Sequence, residues 1–192
     1  MPDKSNGYEA IAQDFIAART RSSIGTAILR DWSRRVPRGA SILDIGCGSG
    51  VPVSQVLIDE GFEVAGIDAS ANMIEAFREL FPNSLAKCEA VEDSDFFDRT
   101  FEGIVCVGLM FLLPAETQRI LIAKVSHALR NGGQFLFTSP KQACTWSDVM
   151  TGRLSISLGS GEYRRILGVE QLDLVGEGED EGENHYYFAK SR

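Results

Sequence analysis

Short apolar runs alternate with stretches of helical periodicity along most of this chain. Apolar runs bounded by turn residues, typical of buried strands, occur at residues 41–45, 63–67, 85–90, 104–107, 134–139, 172–175 and 186–189. Between most of the first five runs, apolar residues recur three and four positions apart, which predicts amphipathic helices. Strands that alternate with helices form right-handed crossovers, so the pattern predicts a mostly parallel sheet with helices on both faces.

Two further helices are predicted before the first strand. Tyr8, Ile11, Ala12 and Phe15 follow one helical stripe, and a second stripe runs through residues 24–32. These helices precede the alternating pattern, so they lie outside the regular strand–helix repeat.

The last two predicted strands have no helix between them. Residues 176–184 join them, and about nine residues are too few for a crossover, so the two strands pair antiparallel. Residues 141–159 show little periodicity, which predicts a long loop after the fifth strand. The predicted fold is a single-domain α/β protein with a doubly wound, mostly parallel sheet and one antiparallel edge strand.

Composition narrows the classes of partner. The 192 residues are 44% hydrophobic, enough for one domain with a sizeable core. Lys and Arg number 19 against 27 Asp and Glu, and the net charge is −8. Because phosphate backbones are neutralised by Lys and Arg, a nucleic acid is an unfavourable partner and a small molecule is a better one.

Membrane and metal signals are missing from the sequence. The first residues carry no apolar stretch of the signal-peptide kind, and the longest apolar run, residues 104–113, is too short to span a membrane. Cys47, Cys88, Cys106 and Cys144 form no CxxC pair, which argues against a metal site. We therefore expect a reduced, cytoplasmic protein without a membrane contact; its oligomeric state stays open.

A glycine cluster follows the first predicted strand, where α/β sheets bind their ligands. Gly46 and Gly48 fit the start of a G-x-G-x-x-G dinucleotide fingerprint, but its third position falls on Val51. Asp44 stands two residues ahead of Gly46. A carboxylate at this loop repels a pyrophosphate and favours a ligand that presents an ammonium group or water-bridged donors.

A second carboxylate ends the second predicted strand. Asp68 lies 24 residues after Asp44, and an acid at this strand end commonly accepts both hydroxyls of a ribose. A ligand with a ribose, an amine and no phosphate satisfies both acids. S-adenosylmethionine is such a ligand.

Residues 40–139 resemble the class I S-adenosylmethionine-dependent methyltransferases. Residues 43–50, Leu-Asp-Ile-Gly-Cys-Gly-Ser-Gly, are similar to the first motif of that family, and residues 64–68, Val-Ala-Gly-Ile-Asp, to its second. Residues 90–93 resemble the loop that holds the adenine, and residues 129–133 the turn before the fifth strand. The resemblance implies a Rossmann-like methyltransferase fold.

The resemblance also implies a cofactor site at three strand ends. It implies that Gly46 and Gly48 approach the methionine part of the cofactor, that Asp44 orients its amine and that Asp68 holds its ribose. The cofactor-binding residues expected in the core are Asp44, Gly46, Cys47, Gly48, Asp68, Ala69, Ala90, Val91, Glu92 and Val107.

Two positions depart from the family pattern. Ala90 stands where many members carry Asp, so the adenine amino group needs another acceptor, for which Glu89 is a candidate. No histidine stands near Phe111, where many members place a catalytic base.

Residues 1–38 are expected to form a helical lid over a core of residues 39–192, because families of this kind use their N-terminal helix in that way. Tyr8, Phe15 and Arg19 are then predicted to contact the cofactor, Arg19 through the cofactor carboxylate. Tyr8 and Phe15 are equally consistent with the apolar face of a helix that packs in the core. Arg19 is also consistent with a charged residue on the protein surface.

Candidate substrate-binding residues follow the fourth and fifth strands. Trp146 lies in the predicted long loop, Met110 and Phe111 follow the fourth strand, and Tyr186 belongs to the last strand. His185 is the candidate catalytic residue, because it begins that strand at the edge where the parallel strands end. Alternatively, the acidic turn of residues 176–184, which precedes His185, has no part in catalysis and only keeps the sheet edge from aggregating.

These observations predict a methyltransferase that transfers a methyl group from S-adenosylmethionine to a small molecule by in-line displacement. Three alternatives remain: a non-catalytic S-adenosylmethionine-binding protein, a nicotinamide-dependent oxidoreductase, and an aminopropyl transferase on a similar fold. The acceptor atom and the need for a general base are open.

Overall fold

A seven-stranded sheet forms the centre of the computed structural model, which describes residues 3–192. The strands of the chain are β1 (Ser41–Ile45), β2 (Glu63–Asp68), β3 (Leu85–Cys88), β4 (Phe101–Cys106), β5 (Leu129–Thr138), β6 (Cys144–Ser147), β7 (Leu154–Ser157), β8 (Leu172–Glu179) and β9 (His185–Ser191). The sheet order is β3-β2-β1-β4-β5-β9-β8, while β6 and β7 pair separately. The order reverses at β1, between β2 and β4, which creates the crevice where such sheets bind ligands.

Five strands, β1 to β5, run parallel, as the alternating pattern predicts. β9 pairs antiparallel with both β5 and β8, so the α/β fold class is confirmed. The position of the reversed strand needs correction: it lies one place in from the edge, and β8 forms the edge. The short turn between β8 and β9 makes these two strands pair antiparallel, but it does not determine which of them lies beside β5. β9 is buried from His185 to Ala189, which suits an interior place, whereas most of β8 is partly or fully exposed.

Within residues 3–192, six α-helices accompany the strands: α1 (Ala12–Arg19), α2 (Thr26–Ser33), α3 (Val53–Asp59), α4 (Ala71–Leu80), α5 (Ala115–Ala128) and α6 (Ser160–Val169). Ser70 caps α4, because its hydroxyl accepts a hydrogen bond from the Met73 N–H. Short 3₁₀ turns occur at Tyr8–Ile11, Phe96–Asp98 and Met110–Leu112. The helices α2, α3 and α4 cover one face of the sheet, and α5 and α6 cover the other.

Alternate residues of the central strands feed two cores. Leu43 and Ile45 of β1 pack in the core shared with α5 and α6, whereas Ile42 packs with Trp32 of α2 and Leu57 of α3. This alternation decides which side chains can reach the ends of the strands, because neighbouring residues of a strand point to opposite faces.

The second helix belongs to the core. Leu29 and Trp32 of α2 are each 1% exposed and pack against the sheet, so only residues 3–19 stand apart from the core as a covering segment. The first two residues of the predicted lid lie outside the described residues. No helix among residues 3–192 combines the length and apolarity needed to cross a bilayer.

The predicted long loop at residues 141–159 is wrong in part. It contains the antiparallel pair β6–β7, in which Cys144 faces Ser157 and Ser147 faces Leu154. Most of β6 is exposed, so neither face of the strand carries the apolar repeat that marks a strand in sequence.

Candidate functional site

A cavity of about 670 Å³ opens at the C-terminal ends of the parallel strands. One side, the glycine-loop half, is lined by Ile45, Gly46, Gly48, Ile67, Asp68, Ala69, Met73, Glu89, Ala90, Val91 and Glu92. The other side, the hairpin half, is lined by Val107, Gly108, Leu109, Phe111, Leu112, Leu113, Pro114, Thr117, Thr138, Asp148, Val149, Met150, Asp180, Asn184 and Tyr186. Residues 3–19, the N-terminal cover, contribute Asp3, Lys4, Ser5, Asn6, Tyr8, Phe15 and Arg19.

The loop after β1 folds back over the end of β2. The N–H groups of Gly46 and Cys47 donate to the Ile67 carbonyl at 2.8 and 3.0 Å. Gly46 and Gly48 have φ angles of +73° and +55°, a region that side chains disfavour. A Cβ at Gly46 would also lie 2.8 Å from the Leu109 side chain. Glycine therefore lets the backbone itself form the cavity wall here.

Asp68 joins the glycine loop to the next helix. Its Oδ2 accepts the Gly48 N–H at 2.9 Å, and its Oδ1 accepts the Ser70 N–H at 2.8 Å. Burial raises the pKa of Asp68, and the two backbone N–H groups counter this effect. Each carboxylate oxygen retains acceptor capacity. Asp68 is therefore a fixed pair of acceptors on the cavity wall.

The loop after β3 completes this half. Ala90, Val91 and Glu92 line the cavity, and the Ala90 carbonyl accepts the N–H groups of Asp93 and Ser94 at 3.0 Å each. The chain thus makes a tight turn at the place where the sequence predicts the adenine loop.

Two predicted cofactor residues turn away from the cavity. Asp44 shares the face of Ile42, and its Oδ2 accepts the Ser54 hydroxyl of α3 at 2.7 Å. Burial raises the pKa of Asp44 to about 7, and the charge of Asp68 adds to the shift. Cys47 packs with Ile74 of α4, and burial raises the pKa of its thiol. Their side chains support the loop from behind, so a direct side-chain contact with a ligand is not supported.

The N-terminal cover is held by contacts at several points. Tyr8 donates to Asp148 at 3.3 Å and packs edge-to-face on Phe15, with ring centroids 5.2 Å apart. Glu9 accepts the Asn72 side-chain amide at 2.8 Å. Asp3 forms an ion pair with Arg153 at 2.7 Å. These contacts connect the cover to both halves of the cavity.

Arg19 is a lining cation without an acidic partner. It forms no ion pair among residues 3–192, whereas Lys4, the other lining cation, pairs with Asp93. The charge of Arg19 partly counteracts the raised pKa values of Tyr8 and Tyr186. Arg19 therefore lies within electrostatic range of both tyrosines and can receive an anionic group.

Two tyrosine–aspartate pairs mark the hairpin half. Tyr186 donates to Asp180 at 2.9 Å, as Tyr8 does to Asp148. Burial raises the pKa of both tyrosines, and the adjacent carboxylates raise them further. Gly25 lies so close to Tyr186 that a Cβ there would overlap the tyrosine hydroxyl. Both hydroxyls stay protonated, donate to their aspartates and keep an oxygen free to accept.

Of the four predicted substrate residues, the cavity brings together two. Phe111 and Tyr186 line it. Trp146 packs against Phe111, with tilted rings whose centroids are 5.5 Å apart, and does not line the cavity, and Met110 is fully buried in the core. Asp148, two residues beyond Trp146, lines the cavity instead. Trp146 and Asp148 both belong to residues 141–159, the predicted long loop. The sequence does not reveal that the hairpin directs only Asp148 to the cavity.

His185 lies at the end of the sheet that the sequence predicts, but its side chain lies outside the cavity. His185 shares the face of Tyr187, with ring centroids 4.8 Å apart, and its Nε2 contacts Glu177 at 3.0 Å. The adjacent Tyr186 points to the cavity, because successive residues of a strand face opposite ways. A catalytic role for His185 is therefore not supported.

Comparison with known proteins agrees with the resemblance seen in the sequence. Residues 42–133 match the family model described as a methyltransferase domain. Over these residues the chain is similar to methyltransferases, and its fold is that of S-adenosylmethionine-dependent methyltransferases of known structure. An uncharacterized methyltransferase of Schizosaccharomyces pombe is 33% identical over 118 residues, which are 57% of this chain and 44% of that protein. The 2-methyl-6-phytyl-1,4-hydroquinone methyltransferase of Synechocystis is 31% identical over 101 residues, 50% of this chain and 31% of that protein.

Solved methyltransferase structures share the fold over nearly the whole chain. A TehB-like S-adenosylmethionine-dependent methyltransferase from Corynebacterium glutamicum gives a TM-score of 0.71 at 22% identity and covers 100% of both chains. The Burkholderia thailandensis 1,6-didemethyltoxoflavin-N1-methyltransferase, solved with S-adenosylhomocysteine, gives 0.74 at 15% identity and covers 94% of this chain and 87% of that one. The chain spans less than half the length of the curated relatives it matches.

Proposed function

We propose that this protein binds S-adenosylmethionine in the glycine-loop half of the cavity and transfers its methyl group to a small molecule in the hairpin half. The observation that carries the proposal is Asp68, a carboxylate fixed by the Gly48 N–H inside a cavity at the end of β2. A carboxylate there can accept both hydroxyls of a ribose.

The residues present fit that cofactor along its length. We assign the adenine to the loop of Ala90, Val91 and Glu92, the ribose to Asp68 with Ala69 beside it, and the methionine part to the backbone of Gly46 and Gly48. These residues, like Val107 at the end of β4, line one continuous cavity.

The N-terminal cover suits the amino-acid end of the cofactor. Arg19 has no acidic partner among the described residues and can bind the cofactor carboxylate. Tyr8 and Phe15 lie over the cavity, and their packed rings exclude water from the reacting groups. We therefore propose that residues 3–19 act as the lid.

Methyl transfer from a sulfonium needs mainly positioning. S-adenosylmethionine supplies an electrophilic methyl group when it is bound. The protein has to align the acceptor and keep the cavity dry. Phe111 and Met150 offer apolar contact, and Tyr8 and Tyr186 can each accept a hydrogen bond from an acceptor O–H or N–H. Such bonds hold the acceptor without removing its proton.

The acceptor class follows from charge and cavity size. A net charge of −8 disfavours nucleic acid, and a cavity of about 670 Å³ has the size of a small-molecule site. The four cysteines are free thiols, which agrees with a reducing, cytoplasmic setting.

Two measurements test the proposal. Calorimetry with S-adenosylhomocysteine and with NADH should show binding of the first only; binding of NADH, or of neither, would reject the site assignment. Isotope-labelled S-adenosylmethionine incubated with pooled metabolites should then yield a labelled product. Cofactor binding without any product would favour a non-catalytic binding protein, and a preference for the decarboxylated cofactor would favour aminopropyl transfer.

A further inference from the structure

Lys124 of α5 lies directly behind the loop that we assign to the adenine. Its Nζ donates to the carbonyl oxygens of Val91 at 2.7 Å, Glu92 at 3.1 Å and Ser94 at 2.6 Å. An ammonium group has three protons, so the loop uses all of its donor capacity. This arrangement is specific to the loop, since three backbone carbonyls from four consecutive residues converge on one atom.

Opposing effects act on the charged form of the ammonium group. Burial lowers the pKa of Lys124, and the surrounding carboxylates of Asp93, Glu89 and Glu92 counter the shift. The group also lies 5.0 Å from the centre of the Phe96 ring, which favours a cation. Hydrogen bonds from a charged donor are stronger than neutral ones, so Lys124 holds the carbonyls firmly.

The loop needs such support from outside. Phe96, Phe97 and Asp98 follow it with φ angles of +51°, +61° and +51°, a left-handed turn made without glycine. This conformation is unfavourable for residues with a Cβ and persists only when other contacts impose it.

The orientation of the carbonyls determines what the loop shows to the cavity. In a planar trans peptide, the C=O of one residue and the N–H of the next point in opposite directions. The Val91 carbonyl points to Lys124, so the Glu92 N–H points away from it. Glu92 lines the cavity, and its N–H has no hydrogen-bond partner among residues 3–192.

We infer that Lys124 is a positioning residue for cofactor recognition: by holding the Val91, Glu92 and Ser94 carbonyls, it aims the free Glu92 N–H at an acceptor nitrogen of the adenine edge. The inference rests on the proposed function. It assigns Lys124 no contact with the cofactor and no part in methyl transfer.

The test compares two ligands that differ at the recognised edge. Adenine N1 is an acceptor, whereas N1 of hypoxanthine carries a proton. Wild-type protein should therefore bind S-adenosylhomocysteine more tightly than S-inosylhomocysteine. In Lys124→Met, this preference should fall by about tenfold, the scale of the single hydrogen bond from the Glu92 N–H to adenine N1. The turnover number at saturating S-adenosylmethionine should change little.

Arg99→Met is the matched control. Arg99 is an exposed cation that follows the same loop region and lies over the Phe101 ring at 5.3 Å, but it binds no loop carbonyl, so this variant should keep the wild-type preference. If Lys124→Met does not fold, Lys124→Arg replaces it, because a planar guanidinium cannot meet three converging carbonyls and should lose part of the preference.

Each outcome decides the question. A reduced ratio of the two affinities supports the inference. Equal weakening of both ligands, an unchanged ratio, or no preference in the wild type overturns it while the proposed function stands. Wild-type protein that binds neither ligand overturns the proposed function and the inference together.

Discussion

The glycine-loop half of the cavity is built from backbone, whereas the hairpin half is built from side chains. In the first, Gly46 and Gly48 form the wall, and Asp68 is fixed by main-chain N–H groups. In the second, Tyr186 and Asp180 meet through their side chains, and the wall belongs to loops and the β6–β7 hairpin. A backbone site tolerates few sequences, while side chains can be exchanged. The first half therefore suits a shared cofactor and the second a particular acceptor.

Asp68→Ala should have the largest effect on cofactor affinity. It removes two acceptors from the glycine-loop half and should weaken S-adenosylhomocysteine binding by about 1.5–3 kcal/mol, the scale of hydrogen bonds to a charged group. Calorimetry measures the change. Glu79→Ala, which removes an exposed acid near the end of α4, is the control and should bind normally. Unchanged affinity in Asp68→Ala would remove the basis of the proposed ribose site.

Gly48→Ala tests whether the backbone itself forms the site. Gly39→Ala is its matched control, since Gly39 has a φ of +70° and open space around it. Both variants should lose about 1 kcal/mol of unfolding free energy, because alanine disfavours this conformation. Only Gly48→Ala should also bind S-adenosylhomocysteine more weakly. Equal ligand affinities in the two variants would mean that the loop does not touch the ligand.

Arg19→Met separates the two ends of the cofactor. Loss of the cation should weaken S-adenosylhomocysteine binding by about 1 kcal/mol, roughly fivefold, since the contact is near solvent. 5′-Methylthioadenosine, which lacks the amino-acid part, should bind as it does to the wild type. A parallel loss for both ligands would place Arg19 away from the carboxylate.

Asp44→Asn should leave cofactor affinity within about twofold, because Asp44 faces α3 and not the cavity. Its effect is on stability. The folded pKa of about 7 exceeds the usual value of 3.8, so ionisation of Asp44 destabilises the fold as pH rises between these values. Thermal unfolding should therefore show Asp44→Asn gaining stability relative to wild type from pH 4 to pH 8. A constant difference across that range would contradict the raised pKa.

His185→Gln and Tyr186→Phe should have the smallest effects on cofactor affinity, but they should differ in their effects on unfolding temperature and turnover. The first breaks the pair with Glu177 outside the cavity and should lower the unfolding temperature without changing turnover. The second removes a hydroxyl from the hairpin half and should lower turnover of the identified acceptor. Reduced turnover in His185→Gln alone would restore the catalytic role expected from the sequence.

The parts of the molecule predictable from sequence are those where backbone geometry restricts residue choice. The β1 strand, the glycines after it and Asp68 at the end of β2 follow from period-two burial and from turns that need positive φ. Sequence does not identify the lining residues where the backbone accepts many different side chains. Trp146 and Asp148 both stand in one loop region, and only the hairpin places Asp148 at the cavity.

Strand order and strand face explain the remaining differences. A short β8–β9 connection predicts an antiparallel pair, but burial of β9 on both faces decides that it lies beside β5. The one-residue difference between His185 and Tyr186 reverses the face of the sheet, which the position of the strand end alone does not reveal. Asp44 follows the same rule, because it shares the face of Ile42.

The N-terminal cover has a consequence for the rate at which ligands are exchanged. The exposed pair of Asp3 with Arg153 is worth about 0–1 kcal/mol, the hydrogen bonds of Tyr8 with Asp148 and of Glu9 with Asn72 are only partly buried, and no residue of the cover packs in either core of the sheet. Residues 3–19 can therefore detach while the sheet and its two cores stay intact. A bound product that can leave only after this detachment dissociates slowly, even where its equilibrium affinity is modest. Dissociation rates would therefore report the opening of the cover, whereas equilibrium affinities would not.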